Sequence, residues 1–419
     1  ATALACAPGQ IGRPGGGIAF PFGAQGNVGA GQVRKRVPGI PIPPRSSNSP
    51  VISVSRFREL IDQPGETFNC NGETGEFPDI KMVWWAGGNP FHHHQNLSQL
   101  ESAWQRPQTI IVQEPFWTPT ARRADIVFPT TIPIERNDIG GAENLLISHA
   151  RAVDPPGEAL DDYEILAKVA ERFDLREKFT EGRTADEWVK VLYDLFRVEN
   201  DWAPKFEDFL EAGYLRYPEM SDMGVNEQVF LEEFRSDPRN NPLGTPSGKI
   251  ELWSEQIAAF EYEDCPPHPV WLEPYERLGG AGSDRWPLHL ISNQPSVRLH
   301  SQYDHTQPSS GSKVAGREPV RIHPDAAEAR GIVDGDVVRL FNDRGSCLAG
   351  AVLDNALMHD VVQLSTGAWY DPDSNGMCRA GNPNVLTFDK GTSQLAQGPS
   401  SHTCLVEVER FEGVIPRVE

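Results

Sequence analysis

The chain has 419 residues, of which 38% are hydrophobic and 23% are charged. That length is about twice the size of one typical domain, so two or three packed units are expected. A formal net charge of −21 opposes binding to nucleic acid and to anionic membrane surfaces. The acidity would suit a basic electron-donor protein, although most acidic proteins are simply well solvated.

The six cysteines are scattered, and no two of them form a Cys-X-X-Cys pair. Their spacing argues against structural zinc and against an iron–sulfur cluster held by this chain alone. No apolar run reaches the roughly 18 residues of a membrane span. The first residues carry neither a signal peptide nor an initiating Met, so we expect the chain to begin after processing or inside a larger protein. The compartment, periplasmic or cytoplasmic, stays open.

Residues 1–50 are rich in Gly and Pro, with PGGG at Pro14–Gly17 and PGIPIPP at Pro38–Pro44. Such composition predicts loops. The segment is either a disordered terminus or the tail of a truncated domain whose earlier strands are absent. We extend this loop-rich segment over residues 1–78.

From residue 79 the pattern changes to alternating strands and helices. Buried strands are predicted at Ile80–Gly88, at Thr109–Glu114 and within Thr120–Pro129, with a helix at Asn96–Gln105. This spacing predicts a parallel sheet of the doubly wound type, which binds ligands beyond the carboxyl ends of its strands. The residues following the predicted strands are Gly87–Pro90, Gln113–Pro115 and Glu135–Asp138.

Two further helices, predicted at Tyr163–Phe173 and Ala185–Phe196, complete an α/β domain over residues 79–200. Residues 201–284 are rich in Pro and acidic residues and predict an irregular connecting region. Over residues 285–419, short strands with one early helix predict a small closed barrel or sandwich. Its strands are predicted within Pro287–Pro295, on both sides of a turn at Asn342–Gly345, and within Asp360–Trp369 and His402–Phe411.

Three features are candidates for chemistry. Consecutive His92–His94 invite a metal, but neighbouring side chains point in different directions, so the start of a polar helix beside a ligand loop is favoured. Glycines at Gly87–Pro90 would let backbone N–H groups approach a phosphate or a ring, although many turns have the same sequence. The long loop Gly381–Ser400 is a binding loop or a surface connection. No GxSxG, HExxH, Walker or GxGxxG motif supports a hydrolase, zincin, P-loop or NAD enzyme.

The segment Gly87–Gly140, GGNPFHHHQNL to ERNDIG, resembles the dimethyl sulfoxide reductase family of molybdopterin oxidoreductases. It is most similar to the branch of biotin sulfoxide and trimethylamine N-oxide reductases. Later segments fit the same branch in the same order: TPSGKIELWS, LISNQPSVRLHSQYDH, GREPVRIHPDAAEARG and GNPNVLTFDKGTSQLAQGPSSHTC. The resemblance covers nearly the whole chain, because GQIGRPGGG near its start fits too.

This resemblance implies an enzyme that transfers an oxygen atom from an S-oxide or N-oxide. Its cofactor would be molybdenum held by two molybdopterin guanine dinucleotides, with no iron–sulfur cluster in this chain. One nucleotide would lie across the sheet domain that includes Gly88 to Asp162. The C-terminal domain would be a six-stranded double-psi barrel that covers both pterins.

The resemblance also assigns cofactor contacts to individual positions. The Asp162 carboxylate could accept guanine N–H groups, and Arg136 and Arg298 could balance the diphosphates. The alternatives are a helix N-cap for Asp162 and surface salt bridges for the two arginines. The full set is Gly88, Asn89, Gln113, Glu114, Arg136, Asp162, Ser292, Asn293, Gln294, Arg298, Leu299, His300, Ser301, Asn384 and His402.

The family's protein ligand to molybdenum would lie upstream of this chain, so no residue here is assigned as catalytic. We therefore expect the C-terminal portion of an enzyme, inactive alone. Its partners would be an N-terminal metal-bearing part or companion chain, an electron-donor protein and a small oxide substrate. The alternatives are a non-catalytic cofactor-binding subunit of a split enzyme, or a different family reaction such as hydroxylation or dehydrogenation. Trp369 and Tyr370 are candidates for the wall of the substrate funnel.

Overall fold

The computed structural model describes residues 1–18, 37–40, 42, 51–142, 145–218 and 229–419. Much of the predicted N-terminal loop segment, residues 19–36, 41 and 43–50, lies outside these described residues. Two compact units make up the chain. The first unit comprises Ala1–Ser47, Pro129–Gln256 and Pro267–Pro269, and the second unit comprises Asn48–Phe128, Ile257–Pro266 and Val270–Glu419.

The described residues contain fourteen strands. In chain order they are β1 Thr67–Cys70, β2 Glu73–Glu76, β3 Met82–Ala86, β4 Thr109–Gln113, β5 Ile126–Phe128, β6 Asp138–Ala142, β7 Leu145–His149, β8 Tyr214–Arg216, β9 Leu288–Ile291, β10 Pro319–Ile322, β11 Val337–Phe341, β12 Ser346–Leu353, β13 Val361–Leu364 and β14 Leu405–Arg410.

Twelve α-helices are found in the same part of the chain. They are α1 Thr2–Cys6, α2 Phe57–Asp62, α3 Pro90–His93, α4 Leu97–Ala103, α5 Asp162–Glu171, α6 Arg176–Thr180, α7 Ala185–Glu199, α8 Phe206–Ala212, α9 Glu232–Ser236, α10 Glu255–Ala258, α11 Gln307–Ser312 and α12 Pro324–Glu328. No helix among the described residues is long and apolar enough to cross a membrane.

The first unit has an antiparallel sheet in the order β6-β7-β8. The long helix α7 begins with a capping box, in which Thr184 and Glu187 accept each other's backbone N–H groups. Tyr193 and Phe196 lie three residues apart on α7 and are buried in one cluster with Leu146 of β7. Strand β8 extends this sheet from within residues 201–284, so that stretch contains regular structure as well as connections.

The second unit contains the parallel sheet predicted from the strand–helix–strand spacing. Strand β4 lies in the centre, and β3 and β5 pair with it in parallel on either side. Ile110, Ile111 and Val112 of β4 are buried, as a central parallel strand requires. The predicted strands and the helix at α4 begin and end within about two residues of the observed elements.

The same unit contains a closed barrel with the strand order β10-β12-β11-β14-β9-β13. The pairs β10–β12 and β9–β13 are parallel, and the other four pairs are antiparallel. The predicted six-stranded barrel is therefore confirmed. Strand β10 was not predicted, because only Val320 and Ile322 point inward and two residues do not establish an alternation.

One apolar core serves both the parallel sheet and the barrel of the second unit. Leu97, Leu100 and Trp104 from α4 and its end belong to the same buried cluster as Leu340 and Val385 from the barrel side. The sheet and the barrel are thus packed as one body within this unit. The four sequence segments 1–78, 79–200, 201–284 and 285–419 remain predicted domain boundaries.

The substitution Leu340→Ala should destabilise the barrel. Leu340 is fully buried on β11 between Cys347 and Val408, and removing such a side chain leaves a cavity that costs about 2–5 kcal/mol. Urea or thermal unfolding of the full-length protein measures the change. Val333→Ala is the matched control, because Val333 is exposed and its truncation should change stability by less than about 0.5 kcal/mol. Equal effects of the two substitutions would contradict this description of the core.

Candidate functional site

The first part of the site is the turn that follows β3. Gly87 and Gly88 have φ values of +69° and +77°, which only glycine adopts without strain. The backbone N–H of Gly87 donates to the carbonyl oxygen of Gln113 at 3.2 Å, so the ends of β3 and β4 are joined. Pro90 then begins α3 in the first helical position, where its missing N–H costs nothing.

Asn89 connects this turn to two other segments. Its Nδ2 donates to Ser301 Oγ at 3.3 Å, and its Oδ1 accepts from Thr120 Oγ1 at 2.7 Å. All three residues are buried. Nearby, Trp84 Nε1 donates to Gln113 Oε1 at 2.6 Å, and Gln113 is also buried. Amide groups at the carboxyl ends of β3 and β4 are therefore fixed in defined orientations.

The second part is the segment Ser292–Ser301, which we call the 292–301 loop. Asn293 anchors its start, since its carbonyl oxygen accepts from Thr366 N–H at 2.9 Å and its Oδ1 accepts from Ser365 Oγ at 2.9 Å. Gln294 Nε2 donates to the carbonyl oxygen of Arg298 at 2.8 Å. At the far end, Ser301 O accepts from Trp369 Nε1 at 2.9 Å. The loop is thus ordered by its own amides and by the segment after β13.

Three other predicted positions differ in exposure. Ser292 is half-buried, whereas Leu299 and His300 are exposed. His300 has a φ of +50°, an uncommon backbone conformation for a side chain of this size. Leu299 and His300 are therefore accessible to solvent, and the His300 ring lies 6.0 Å from the His92 ring between centroids. Glu114, at the end of β4, accepts from Phe116 N–H at 3.4 Å.

Arg298 of this loop belongs to a group of four buried charged side chains, together with Asp304, Lys313 and Glu318. We call this group the buried ionic cluster. Arg298 Nη2 is 2.7 Å from Glu318 Oε2, and its Nη1 is 3.6 Å from Asp304 Oδ1. Lys313 Nζ is 2.8 Å from the same Asp304 oxygen. Two cations thus face two carboxylates in a site closed to solvent. The arginine alternative of a surface salt bridge does not describe Arg298, because its side chain is fully buried.

The pKa values of the two carboxyl groups in the cluster shift in opposite directions. Burial acts to raise the pKa of Asp304, but the charges of Lys313 and Arg298 and the N–H of Trp369 outweigh it and lower that pKa. Burial raises the pKa of Glu318, with only partial compensation by Arg298. Asp304 is therefore the more strongly acidic of the two carboxyl groups. Sequence reasoning did not single out Asp304, Lys313 or Glu318, because charged residues in a loop region are normally solvated.

Gly367 shows how closely the segments approach above this cluster. Its φ is +108°, and a Cβ there would lie 2.2 Å from the carbonyl oxygen of His300 and 2.6 Å from Arg298 Nε. Neither backbone nor a held guanidinium can move aside for such a contact. Only glycine permits the segment after β13 to close over the 292–301 loop.

The third part of the site comes from the loop after Gly381. Asn384 Nδ2 donates to the carbonyl oxygen of His92 at 2.6 Å, and Asn384 Oδ1 accepts from Thr387 Oγ1 at 2.8 Å. Asn382 Nδ2 donates to Ala368 O at 2.9 Å. This loop therefore joins α3 to the segment after β13. The beginning of Gly381–Ser400 is a buried structural loop, while His402 is exposed in the turn before β14.

His92 and His94 are buried beside these loops. His92 Nδ1, His94 Nε2 and Trp85 Nε1 are buried and have no hydrogen-bond partner within the described part of the chain. Burial, with the neighbouring His93, lowers the pKa of both His92 and His94 to about 3, so both rings are neutral at pH 7. Such groups can donate or accept hydrogen bonds without adding charge.

Two of the predicted contact residues belong to the first unit. Arg136 Nε lies 3.3 Å from Asp138 Oδ2, and its Nη1 donates to Thr131 O at 2.9 Å, the ion pair that was the alternative interpretation. Asp162 is the first residue of α5 and is exposed, and the N-cap is its neighbour Asp161. Arg136 thus lies just before β6, and Asp162 lies in the first turn of α5.

Trp369 and Tyr370 differ from each other in surroundings. Trp369 anchors the 292–301 loop through its indole N–H, and its ring stands edge-on to His305 with centroids 4.2 Å apart. Tyr370 is buried and donates its hydroxyl to Glu101 Oε2 at 2.9 Å. Burial and the Glu101 charge raise the pKa of Tyr370, so it stays protonated. A place for either residue in a funnel wall remains a prediction.

The arrangement suits a large, polar, ring-containing ligand. It offers a glycine turn with accessible backbone, fixed amides, neutral imidazoles and three loops drawn together in the second unit. Two family models match this chain: "Molybdopterin oxidoreductase" over residues 1–172 and "Molydopterin dinucleotide binding domain" over residues 288–405. The chain belongs to the molybdopterin oxidoreductase family. The second match includes the 292–301 loop, the buried ionic cluster and Asn384.

Several reductases named for S-oxides and N-oxides are similar along nearly the whole chain. Biotin sulfoxide reductase of Cereibacter sphaeroides is 43% identical over 99% of this chain and 56% of its own length. Dimethyl sulfoxide/trimethylamine N-oxide reductase of Rhodobacter capsulatus is 42% identical, over 98% of this chain and 52% of its own. Trimethylamine-N-oxide reductase of Haemophilus influenzae is 40% identical, over 99% and 53%. The chain spans about half the length of these relatives, and its resemblance to their branch is confirmed.

A solved structure is similar in fold. Acetylene hydratase from Pelobacter acetylenicus superposes with a TM-score of 0.61 at 18% identity, covering 80% of this chain and 45% of the hydratase. The two proteins therefore share a fold at low sequence identity. Fold alone does not carry the reaction.

The substitution Arg298→Met should be strongly destabilising. It would leave Asp304 and Glu318 buried with Lys313 as their one remaining cation, and breaking a buried ion pair on one side costs about 3–5 kcal/mol. Urea unfolding of the full-length protein is the measurement. Arg410→Met is the control, since the Arg410–Asp336 pair lies at the surface and is worth less than about 1 kcal/mol. A small and equal effect of both substitutions would exclude a structural role for the cluster.

Acid should destabilise the cofactor-free protein through His92 and His94. Their folded pKa of about 3 lies below the ordinary 6.5, so the unfolded state binds more protons between these values and stability falls as the pH drops below 6.5. Each histidine should cost about 1.4 kcal/mol per pH unit in that window. Unfolding at pH 7 and pH 5.5 measures the loss. His94→Gln should reduce it and the surface control His268→Gln should not; identical pH dependence in all three proteins would refute this assignment.

Proposed function

We propose that this chain is part of an oxidoreductase that transfers an oxygen atom from an S-oxide or N-oxide substrate. The cofactor would be molybdenum bound by two molybdopterin guanine dinucleotides. Support comes from the family membership and from relatives named for biotin sulfoxide, dimethyl sulfoxide and trimethylamine N-oxide. The principal structural support is the group of buried, unpartnered polar atoms beside the glycine turn, on Trp85, His92 and His94.

Those atoms favour a ligand with many hydrogen-bonding positions. A buried polar atom without a partner costs roughly 1–3 kcal/mol, so a fold that keeps three of them together gains when a ligand supplies the partners. A pterin offers ring nitrogens, an amino group and a carbonyl oxygen in one plane. Neutral imidazoles and an indole N–H match these groups without requiring the ligand to carry charge. We infer that Asn89 and Asn384 hold this lining in place and that the 292–301 loop closes over it.

Arg298 has a narrower part in this proposal than direct pairing with a diphosphate. Its charge is already met by Glu318 and Asp304, and its side chain is shielded from solvent. We expect it to hold the shape of the 292–301 loop. Backbone N–H groups, at Gly88 for example, would then meet the phosphates in the second unit. In the first unit Arg136 and Asp162 remain the proposed contacts for a diphosphate and for guanine.

When bound, the molybdenum centre supplies the two-electron chemistry of the reaction. An S-oxide or N-oxide consumes two electrons and two protons and gives the reduced compound and water. The residues of this chain bind the cofactor, orient it and exclude water around it. An N-terminal metal-bearing part or companion chain and an electron-donor protein would complete the enzyme.

The substitution Asn384→Ala tests the proposed binding site. It removes the link between the loop after Gly381 and the backbone of His92, and the loss of such a buried hydrogen bond should weaken cofactor binding about tenfold. The measurements on the full-length protein are molybdenum and guanosine monophosphate released per polypeptide. Asn355→Ala is the control, because Asn355 is exposed in a barrel turn. Equal cofactor content in both variants and the parent protein would count against the site.

The reaction is tested separately, with a reduced viologen dye as electron donor. Biotin sulfoxide, dimethyl sulfoxide and trimethylamine N-oxide are offered to this chain when it is completed by the N-terminal metal-bearing part and loaded with cofactor, and oxidation of the dye is followed by absorbance. Turnover of at least one oxide is expected. A full complement of molybdenum and nucleotide with no oxide reduction would overturn the oxide-reductase proposal and favour hydroxylation, dehydrogenation or a non-catalytic role.

A further inference from the structure

Three side chains with metal-binding atoms meet on the barrel surface, away from the loops described above. His323 and Asp325 lie at the start of α12, directly after β10, and His359 lies just before β13. Strands β10 and β13 are antiparallel neighbours, with Ile322 opposite Val362, so the end of one strand adjoins the start of the other. Glu318 and Thr366 flank the opposite end of this strand pair. The three residues therefore form a site separate from the buried ionic cluster.

The distances between these side chains fit a small cation. Asp325 Oδ2 is 3.8 Å from His323 Nδ1 and 3.7 Å from His359 Nδ1. One donor atom from each residue lies within 4.8 Å of the other two. Zinc binds imidazole nitrogen and carboxylate oxygen at about 2.0–2.2 Å, which sets tetrahedral donor atoms roughly 3.3–3.6 Å apart. The two Asp325 contacts would need to shorten by a few tenths of an ångström. Movement of the exposed His359 side chain would then complete the geometry.

The two imidazole rings stack face to face, so the exposed His359 ring must turn before both rings can bind one cation. Their ring centroids are 4.0 Å apart with an interplanar angle of 20°. His323 is the fixed member, since its side chain is only 12% exposed and its Nδ1 accepts from Asp325 N–H at 3.2 Å. His359 and Asp325 are 69% and 67% exposed, so they can adjust. A cation bound at His323 Nδ1 would replace this long hydrogen bond.

The donor set selects the class of ion. Two imidazoles and one carboxylate suit zinc and its neighbours in the first transition series, whereas calcium and magnesium prefer oxygen ligands alone. Three protein ligands leave a fourth tetrahedral position open to water. Because two of the ligands are exposed, little desolvation opposes binding and solvent can supply the remaining ligand.

We propose that His323, Asp325 and His359 form a surface site for a divalent transition cation, with Zn²⁺ as the type ion. The cation would join the start of α12 to the start of β13 and thereby brace one end of the barrel. This inference is independent of the proposed oxide-reductase function. It concerns side chains that the cofactor site does not use.

The test is a Zn²⁺ titration of the full-length protein after removal of loosely bound metal with a chelator. A chromophoric competitor reports the stoichiometry and affinity. The parent protein should bind one Zn²⁺ that His359→Ala and Asp325→Ala bind at least tenfold more weakly. His268→Ala, at an exposed histidine of the first unit, should bind as the parent does. Equal Zn²⁺ binding by the parent and His359→Ala would overturn the proposal.

Two further measurements separate ligation from a loss of folding. His359→Cys keeps a zinc ligand on the same exposed residue, one bond closer to the backbone, and should retain Zn²⁺, whereas His359→Ala should lose it. Saturating Zn²⁺ should also raise the Tm of the parent and of His359→Cys but not that of His359→Ala. All three proteins should have the same Tm in chelator, because residue 359 is exposed. A Zn²⁺-dependent rise of equal size in His359→Ala would count against the site.

Discussion

Four charges closed off from solvent determine the form of the loops in the second unit. The buried ionic cluster holds Arg298 within the 292–301 loop, and Arg298 also donates to Thr366 O at 2.9 Å, so the segment after β13 is tied to the same group. Asp304 accepts a hydrogen bond from the backbone N–H of Trp369, and the backbone of Glu318 forms hydrogen bonds with the backbone of Gly350 and Ala380. Taking four charges from water is expensive, and only their mutual pairing in one geometry compensates. The loops therefore have one arrangement of low energy.

That arrangement explains why the other polar groups of the site are uncharged. Because the charges pair with one another, the other buried polar groups of the site are neutral: amides, an indole and uncharged imidazoles. Gly367 permits the close approach of the segment after β13 to the 292–301 loop. Hydrogen bonds of Asn89 and Asn384 link these loops to the turn after β3 and to α3. Charged side chains thus fix the loops, whereas the groups proposed to contact the cofactor are neutral. Burial of His92 and His94 follows from the same closure.

Periodic elements were predictable from the sequence, and pairings across the chain were not. Strands β3, β4 and β5 and most strands of the barrel follow from apolar runs and turns, while the four residues of β10 are too few to show a period. The pattern left a barrel or a sandwich open, and the family resemblance implied the six-stranded barrel. Asn89, after a strand, and Asn384, in the loop Gly381–Ser400, were identified through family motifs. The burial of Asp304 and Lys313, and the meeting of His323 with His359, depend on backbone paths through irregular segments. No local pattern marks a charged residue as buried or a histidine as paired across 36 positions.

The hydrogen bond from Asn384 to His92 joins positions that are 292 residues apart. At the usual rate of synthesis, about 5–20 residues per second, the turn after β3 leaves the ribosome roughly 15–60 seconds before its partner. During that time the apolar face of α4 lacks the barrel residues with which it shares a core. The parallel sheet therefore stays partly uncovered until the last strands have been synthesised. We expect chaperone contact with this segment, and cofactor capture only after the C-terminal strands have closed the barrel.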